Sequence, residues 1–123
     1  MYEISFYEDE NGNSPVYKFI QELANKTDKD SRINSNKIND YIEILSQHGK
    51  AAKEPFIKHI EGELWELRPI KNRIFFASWE DNGFILLHNF VKKTKKTPQR
   101  EIKQALRNLK DITERSKNNE KME

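Results

Sequence analysis

Along Tyr2-Glu3-Ile4-Ser5-Phe6-Tyr7, apolar Ile4 and Phe6 alternate with Glu3 and Ser5, the period of a short strand, and Glu8 to Asn13 supplies the turn that ends it. Ser14-Pro15 then opens a helix, with Ser14 as N-cap and Pro15 at the first helical position, where a missing N–H costs nothing. Val16, Phe19, Ile20 and Leu23 fall at i, i+3, i+4 and i+7 and make one apolar stripe. A second helix is expected from about Asp30 to His48 on the stripe Ile38, Tyr41, Ile42 and Leu45, with Gly49 as its stop. The short Thr27-Asp28-Lys29 link folds the two helices into an antiparallel hairpin.

Beyond Pro55 the pattern changes from helical to alternating. Glu63 to Arg68 sets Trp65 and Leu67 against Leu64, Glu66 and Arg68; Arg73 to Trp79 sets Ile74 and Phe76 against Arg73, Phe75 and Ala77; Phe84 to Lys93 makes a further strand. The links Pro69 to Asn72 and Asp81-Asn82-Gly83 are short enough for antiparallel hairpins. Thr97-Pro98 opens a last helix with Ile102, Ala105, Leu106, Leu109 and Ile112 facing inward, and the polar stretch 116–123 is expected to fray. The order β-α-α-β-β-β-α predicts a single α+β domain over residues 1–115, its helical hairpin and C-terminal helix packed on one face of a mainly antiparallel sheet. The other face is expected to stay free.

At 123 residues the chain fits one domain, and with 35% hydrophobic against 34% charged residues, its aromatic side chains must fill much of the core. There is no cysteine, hence no disulfide, thiolate zinc site or cysteine nucleophile; three scattered histidines do not suggest a metal site, and chemistry without metal or cofactor is expected. Apolar runs such as Phe84 to Leu87 are far shorter than a membrane helix, and Met1-Tyr2-Glu3 does not begin a basic-then-apolar leader. A cytoplasmic protein without a membrane partner is expected.

The formal net charge of +2 hides a division: residues 1–67 hold 8 Lys/Arg and 13 Asp/Glu, net −5, whereas residues 68–123 hold 14 and 7, net +7. Lys92, Lys93, Lys95, Lys96, Arg100 and Lys103 face a single acid, Glu101, within residues 92–103. A run of this kind often just keeps a surface wet, but it is also the electrostatic footprint of a polyanion partner. Strand alternation adds to it by placing Arg68, Arg73 and Phe75 together on the face away from Trp65, Leu67, Ile74 and Phe76. Guanidinium pairs suit bidentate phosphate contact, and an exposed Phe75 would offer a face for a base to stack on. Arg68 could equally pair with Glu66 or Glu63. On the last strand Asn89, Val91 and Lys93 share one face and His88, Phe90 and Lys92 the other, and both sets contain apolar residues. The expectation adopted is Leu87 at the core margin, with Lys93 joining the arginines.

The same residues carry a resemblance. Leu64-Trp65-Glu66-Leu67-Arg68, then Arg73-Ile74-Phe75-Phe76, then Leu86 to Pro98 (LLHNFVKKTKKTP), closing with Glu101-Ile102 and Ala105, is similar to the RelE/HigB-type toxins of bacterial type II toxin–antitoxin modules, in the phage-derived branch of the RelE/ParE superfamily. It covers about residues 2 to 112. The resemblance implies a RelE-like fold and an mRNA endonuclease acting on ribosome-bound message. Its implied partners are mRNA, the ribosome and a cognate antitoxin, in this branch a helix-turn-helix, HigA-like protein. It matches Arg68 and Arg73 to the arginines flanking the hairpin turn and Lys93 to the basic residue after the last strand. Glu66 stands where many relatives have a second lysine, and no tyrosine or histidine stands at the start of the last helix.

Metal-free RNA cleavage needs a base for the 2′-OH, charge to offset the phosphorane and an acid for the leaving 5′-oxygen. Arg68 and Arg73 are the natural charge stabilisers. A lysine crowded by cations has its pKa lowered, so Lys93 is the expected proton-transfer group. Phe75, Lys92, Lys95, Lys96 and Arg100 are expected to bind RNA or the ribosome. His88, mid-strand among Leu86, Leu87 and Phe90, reads first as a packed structural histidine and second as an acid or base; His59, just before the sheet, could reach its edge. Two alternatives stand beside the nuclease: an inhibitory binder of the same fold directed at gyrase, and a basic RNA-binding module without toxicity.

Overall fold

A computed structural model describes residues 1–122. The elements run β1 (Glu3–Phe6), α1 (Pro15–Ala24), α2 (Lys29–His48), β2 (Ile57–Glu61), β3 (Leu64–Leu67), β4 (Asn72–Trp79), β5 (Gly83–Val91) and α3 (Gln99–Met122), with a single 3₁₀ turn at Gly49–Ala52 after α2. The α+β class stands. The five strands form one sheet in the order β1-β5-β4-β3-β2, parallel only between β1 and β5.

The strand missing from the expected order is β2, which pairs Ile57 with Leu67 and Lys58 with Glu66 before a bulge between His59 and Glu61. That bulge explains the omission: Ile57 and Ile60 are three apart, a spacing that no alternating pattern contains. At the other end of the chain, the polar stretch expected to fray from residue 116 is helical as far as Met122, while Glu123 lies outside the described residues. A helix already nucleated by packing gains one backbone hydrogen bond for each residue it adds.

The helices do not share one face of the sheet as expected. The hairpin α1–α2 covers one sheet face, burying Val16, Ile38 and Leu45 against Ile57, Leu67, Ile74, Phe76, Phe84 and Leu86. Helix α3 covers the opposite face, burying Ile102 and Ala105 against Tyr7, Leu64, Phe75, Ala77, Ile85 and Leu87. The helices therefore sandwich the sheet rather than sharing one side. Ile74-Phe75-Phe76-Ala77 is apolar in both phases of the strand, and such a strand is stable only when covered from both sides.

The helix starts are held locally. Asp28 caps α2 by accepting from the Ser31 N–H at 3.0 Å, and the Ser14 hydroxyl, expected to cap α1, donates instead to the Tyr7 carbonyl at 2.9 Å. Gly49 takes φ +57, and a Cβ there would stand 2.7 Å from the Tyr2 ring, so only glycine ends α2 in this way.

A clamp fastens the second half of α3 to the end of β1. Tyr7, 5% exposed, donates its hydroxyl to Asp111 at 2.6 Å, and Arg115 holds the same carboxylate at 3.0 Å while donating to the Glu8 carbonyl. Burial, aided by the Asp111 carboxylate, pushes the Tyr7 phenol up to about 12. The folded chain thus keeps this proton after the unfolded chain has lost it near pH ~10. Stability is full below about pH 10 and falls as pH rises toward 12, by at most about 2–3 kcal/mol from this group. Denaturant titrations at pH 9 and pH 11.5 check this: Tyr7→Phe is expected to be less stable than the parent at pH 9 and to show the smaller further loss at pH 11.5.

Candidate functional site

The β3–β4 turn brings Arg68 and Arg73 to one end of the sheet. The Asn72 N–H donates to the Pro69 carbonyl at 3.0 Å, Ile70 adopts φ +58, and the Asn72 side chain donates to Asn34 of α2 at 2.8 Å. A β-branched residue in the left-handed region is strained, so this turn is held by its surroundings rather than by local preference. Part of the hold is Arg73, 8% exposed, whose Nη1 donates to the carbonyls of Ile70 at 2.9 Å and Asn72 at 2.8 Å. The Lys92 N–H donates to the Lys71 carbonyl at 2.7 Å and brings the end of β5 beside the same turn.

At the centre lies a buried acid. Glu66 is 1% exposed; its Oε1 lies 3.5 Å from Arg68 Nε and 3.7 Å from Arg73 Nε, and its Oε2 accepts from the Thr97 hydroxyl at 3.1 Å, just ahead of α3. Neither Nε–H has a hydrogen-bond acceptor among the described residues, although both nitrogens are buried. Burial, and then the positive charge of Arg68, hold the Arg73 guanidinium below its usual range, while Glu66 acts in the other direction. Desolvation, then Arg73 and Arg68, likewise push the Lys92 ammonium down.

Along the cross-strand row Lys58–Glu66–Phe75–His88, the aromatic ring stands between the buried acid and the imidazole. His88 stacks on Phe75 at 6.2 Å and 7°, and its Nε2 lies 3.2 Å from Glu101 Oε1 in the first turn of α3. His88 and Glu101 are each about one-fifth exposed and line separate clefts. His88 borders one of about 400 Å³ with Tyr7, Asp9, Gln104 and Asn108; Glu101 borders one of about 270 Å³ with Lys93, Thr94, Pro98 and Arg100.

Against the sequence expectations, Arg68 and Arg73 do converge, with Glu66 as the pairing partner. Phe75 does not: it is 0% exposed beneath α3 and offers no face to a base. Leu87, expected at the core margin, is fully buried in the α3-side core. A bulge at Phe75/Phe76 in the β4–β5 pairing turns both Leu87 and His88 toward α3 and carries Phe90 opposite Arg73. Of the two lysines at the end of β5, Lys92 is part-buried with its backbone bonded to the turn, and burial, then the positive charges of Arg73 and Arg68, push its ammonium down. Lys93 and Arg100 are exposed across the smaller cleft, and Lys95 and Lys96 are exposed on the loop before α3. His59 is exposed on β2 with a ring nitrogen 2.8 Å from the Gly62 carbonyl and its ring 5.0 Å from Trp65, whose side chain packs on the α1–α2 side. Nothing in the sequence singles out Lys58, Thr97 or Glu101 for a functional role; the pattern offers Glu66 as a partner of Arg68 but not of Arg73. Alternation carries that part, since Glu66 is two residues from Arg68 and so shares its face.

Among the described residues no helix is long and apolar enough to cross a membrane. No curated protein matches the chain. The model of the family described as phage derived protein Gp49-like matches residues 22–110, a span from within α1 to α3 that includes both arginines, Glu66, Lys92 and the basic loop. The chain belongs to this phage-derived Gp49-like family, a toxin-like family related to RelE/ParE.

Proposed function

We propose that the chain is the toxin of a type II toxin–antitoxin system and cuts mRNA on the ribosome without a metal ion. The observation that carries this reading is the convergence of Arg68 and Arg73 at one end of the sheet, where the Lys92 backbone bonds to the same turn, beside the exposed Lys93, Lys95, Lys96 and Arg100. In the reaction, a base removes the 2′-OH proton and the 2′-oxygen attacks the adjacent phosphorus. The P–O5′ bond breaks, the 5′-oxygen takes a proton, and a 2′,3′-cyclic phosphate remains. Arginine nitrogens not committed to the turn donate to the phosphorane oxygens, where charge builds up. Lys92, with its depressed pKa, and His88, held by Glu101, are the proton-transfer groups. The outer lysines bind the ribosomal or message backbone, and the cognate antitoxin, a helix-turn-helix protein, restrains the toxin in the cytoplasm.

The test is induced expression with mapping of transcript 5′ ends. Growth arrest with new ends inside translated regions is the expected result; arrest with intact transcripts overturns it. One observation favours a second reading. Glu66 partly neutralises the arginine pair, which suits an inhibitory binder of the same fold, directed at gyrase and without nuclease activity. Broken DNA beside intact message is the result that reading requires.

A further inference from the structure

We infer that Glu66 is the positioning residue of the arginine pair: it grips both guanidiniums by their inner edge and turns their terminal nitrogens toward an incoming RNA phosphate. The inference rests on the proposed RNA-binding role of the site, and three features of Glu66 lead to it.

The first is burial. At 1% exposure its carboxylate is not a screened surface partner, and a buried charge is retained only where neighbouring charges and hydrogen bonds offset its desolvation. The second is geometry. The nearest approach to each arginine is through Nε, at 3.5 Å and 3.7 Å, rather than through the terminal fork that a bidentate carboxylate prefers. Both Nε–H groups are buried and make no hydrogen bond among the described residues, and Glu66 Oε1, at ion-pair distance, is the carboxylate oxygen paired with both. Arg73 commits Nη1 to the turn carbonyls and keeps Nη2, while Arg68 makes no side-chain hydrogen bond among the described residues. The third is restraint. Oε2 accepts from Thr97, so the carboxylate cannot swing out toward an anion without breaking that bond. Glu66 also lessens the repulsion between two guanidiniums that would otherwise push apart.

The test uses Glu66→Gln, which keeps the shape and can still accept from Thr97, with Glu66→Asp as the conservative partner and Thr97→Val to free Oε2 alone. Three readouts apply: the ¹⁵Nε–H resonances of Arg68 and Arg73, affinity for a 12-nucleotide single-stranded RNA across a salt series, and cleavage of message in a ribosome complex. In Glu66→Gln the Nε–H signals are expected to shift and exchange faster. RNA binding should tighten several-fold with a salt slope steeper by about one, because a negative charge has left the cluster. The kcat should fall about 100-fold, the scale of a ~1 Å misplacement, with KM unchanged or lower. Glu66→Asp should restore the salt slope and part of kcat, and Thr97→Val, which keeps the carboxylate charge, should leave the salt slope unchanged and lower kcat by less than Glu66→Gln does.

The shape of the pH–rate profile should not change. Loss of its acidic limb in Glu66→Gln would make Glu66 the base and overturn the positioning role. Unmoved Nε–H signals with a parental kcat would overturn it too. If the parent protein cuts no RNA at all, the nuclease reading fails alone, and the Nε–H signals and salt slope still decide whether Glu66 positions the arginines.

Discussion

Phe75→Ala is expected to cost about 3–5 kcal/mol, the range for truncating a fully buried phenylalanine, and so to remove a large part of a total stability of about 5–15 kcal/mol. The ring is 0% exposed, stacked on His88 and 5.5 Å from Phe90, with Ile102 and Ala105 of α3 in the same core. Truncation leaves a cavity at the point where α3 meets the sheet, and both His88 and the first turn of α3 lose the surface that aligns them. Phe75→Leu should lose much less, because most of the volume remains. Urea titrations of the three proteins measure this; a loss below about 1 kcal/mol for Phe75→Ala would mean that α3 leaves this face open. A loss of toxicity in Phe75→Ala then reflects lost folding and a misaligned His88, and is no measure of base stacking.

The same residue shows how far a sequence pattern reaches. Alternation placed Phe75 on the face of Arg68 and Arg73, and the fold agrees. Alternation does not say what lies over a face, and the inward stripe of the last helix does not say which side of the sheet it chooses. Ile74-Phe75-Phe76-Ala77, apolar in both phases, was the physical sign that both sides are covered. The choice between Lys92 and Lys93 was out of reach for another reason: both phases of the last strand contain apolar residues, and the bulge opposite Phe75/Phe76 resets which residues face α3. The hairpin helices were readable because their stripes have one polar side and one apolar side. For the arginines, flanking a short turn was enough to make them converge. Glu66 was hardest to interpret, because its chemistry lies in burial and in Thr97, 31 positions away in the sequence.

Arg73→Ala and Arg73→Lys should separate what Arg73 does for the fold from what it does for an anion. Alanine removes two donors to the strained turn and one of the two guanidiniums facing a buried carboxylate. Breaking a buried pair costs about 3–5 kcal/mol when the remaining charge is left alone, but Arg68 stays 3.5 Å from the same oxygen, so a loss near ~3 kcal/mol is expected. Because the group is buried, that loss should change little between low and high salt. Cleavage should fall further, by about 100- to 1,000-fold, the scale for removing one donor to a developing oxyanion. Lysine keeps the charge near Glu66 and should recover much of the stability. It has no planar fork, however, and cannot bond the carbonyls of Ile70 and Asn72 while also meeting a phosphate oxygen. Arg73→Lys is therefore expected to fold nearly as well as the parent and to cut at less than about a tenth of its rate. Thermal melts at two salt concentrations, paired with single-turnover cutting of ribosome-bound message, give both numbers. An Arg73→Ala protein that cuts at the parental rate would remove Arg73 from the reaction and leave it only its part in holding the turn.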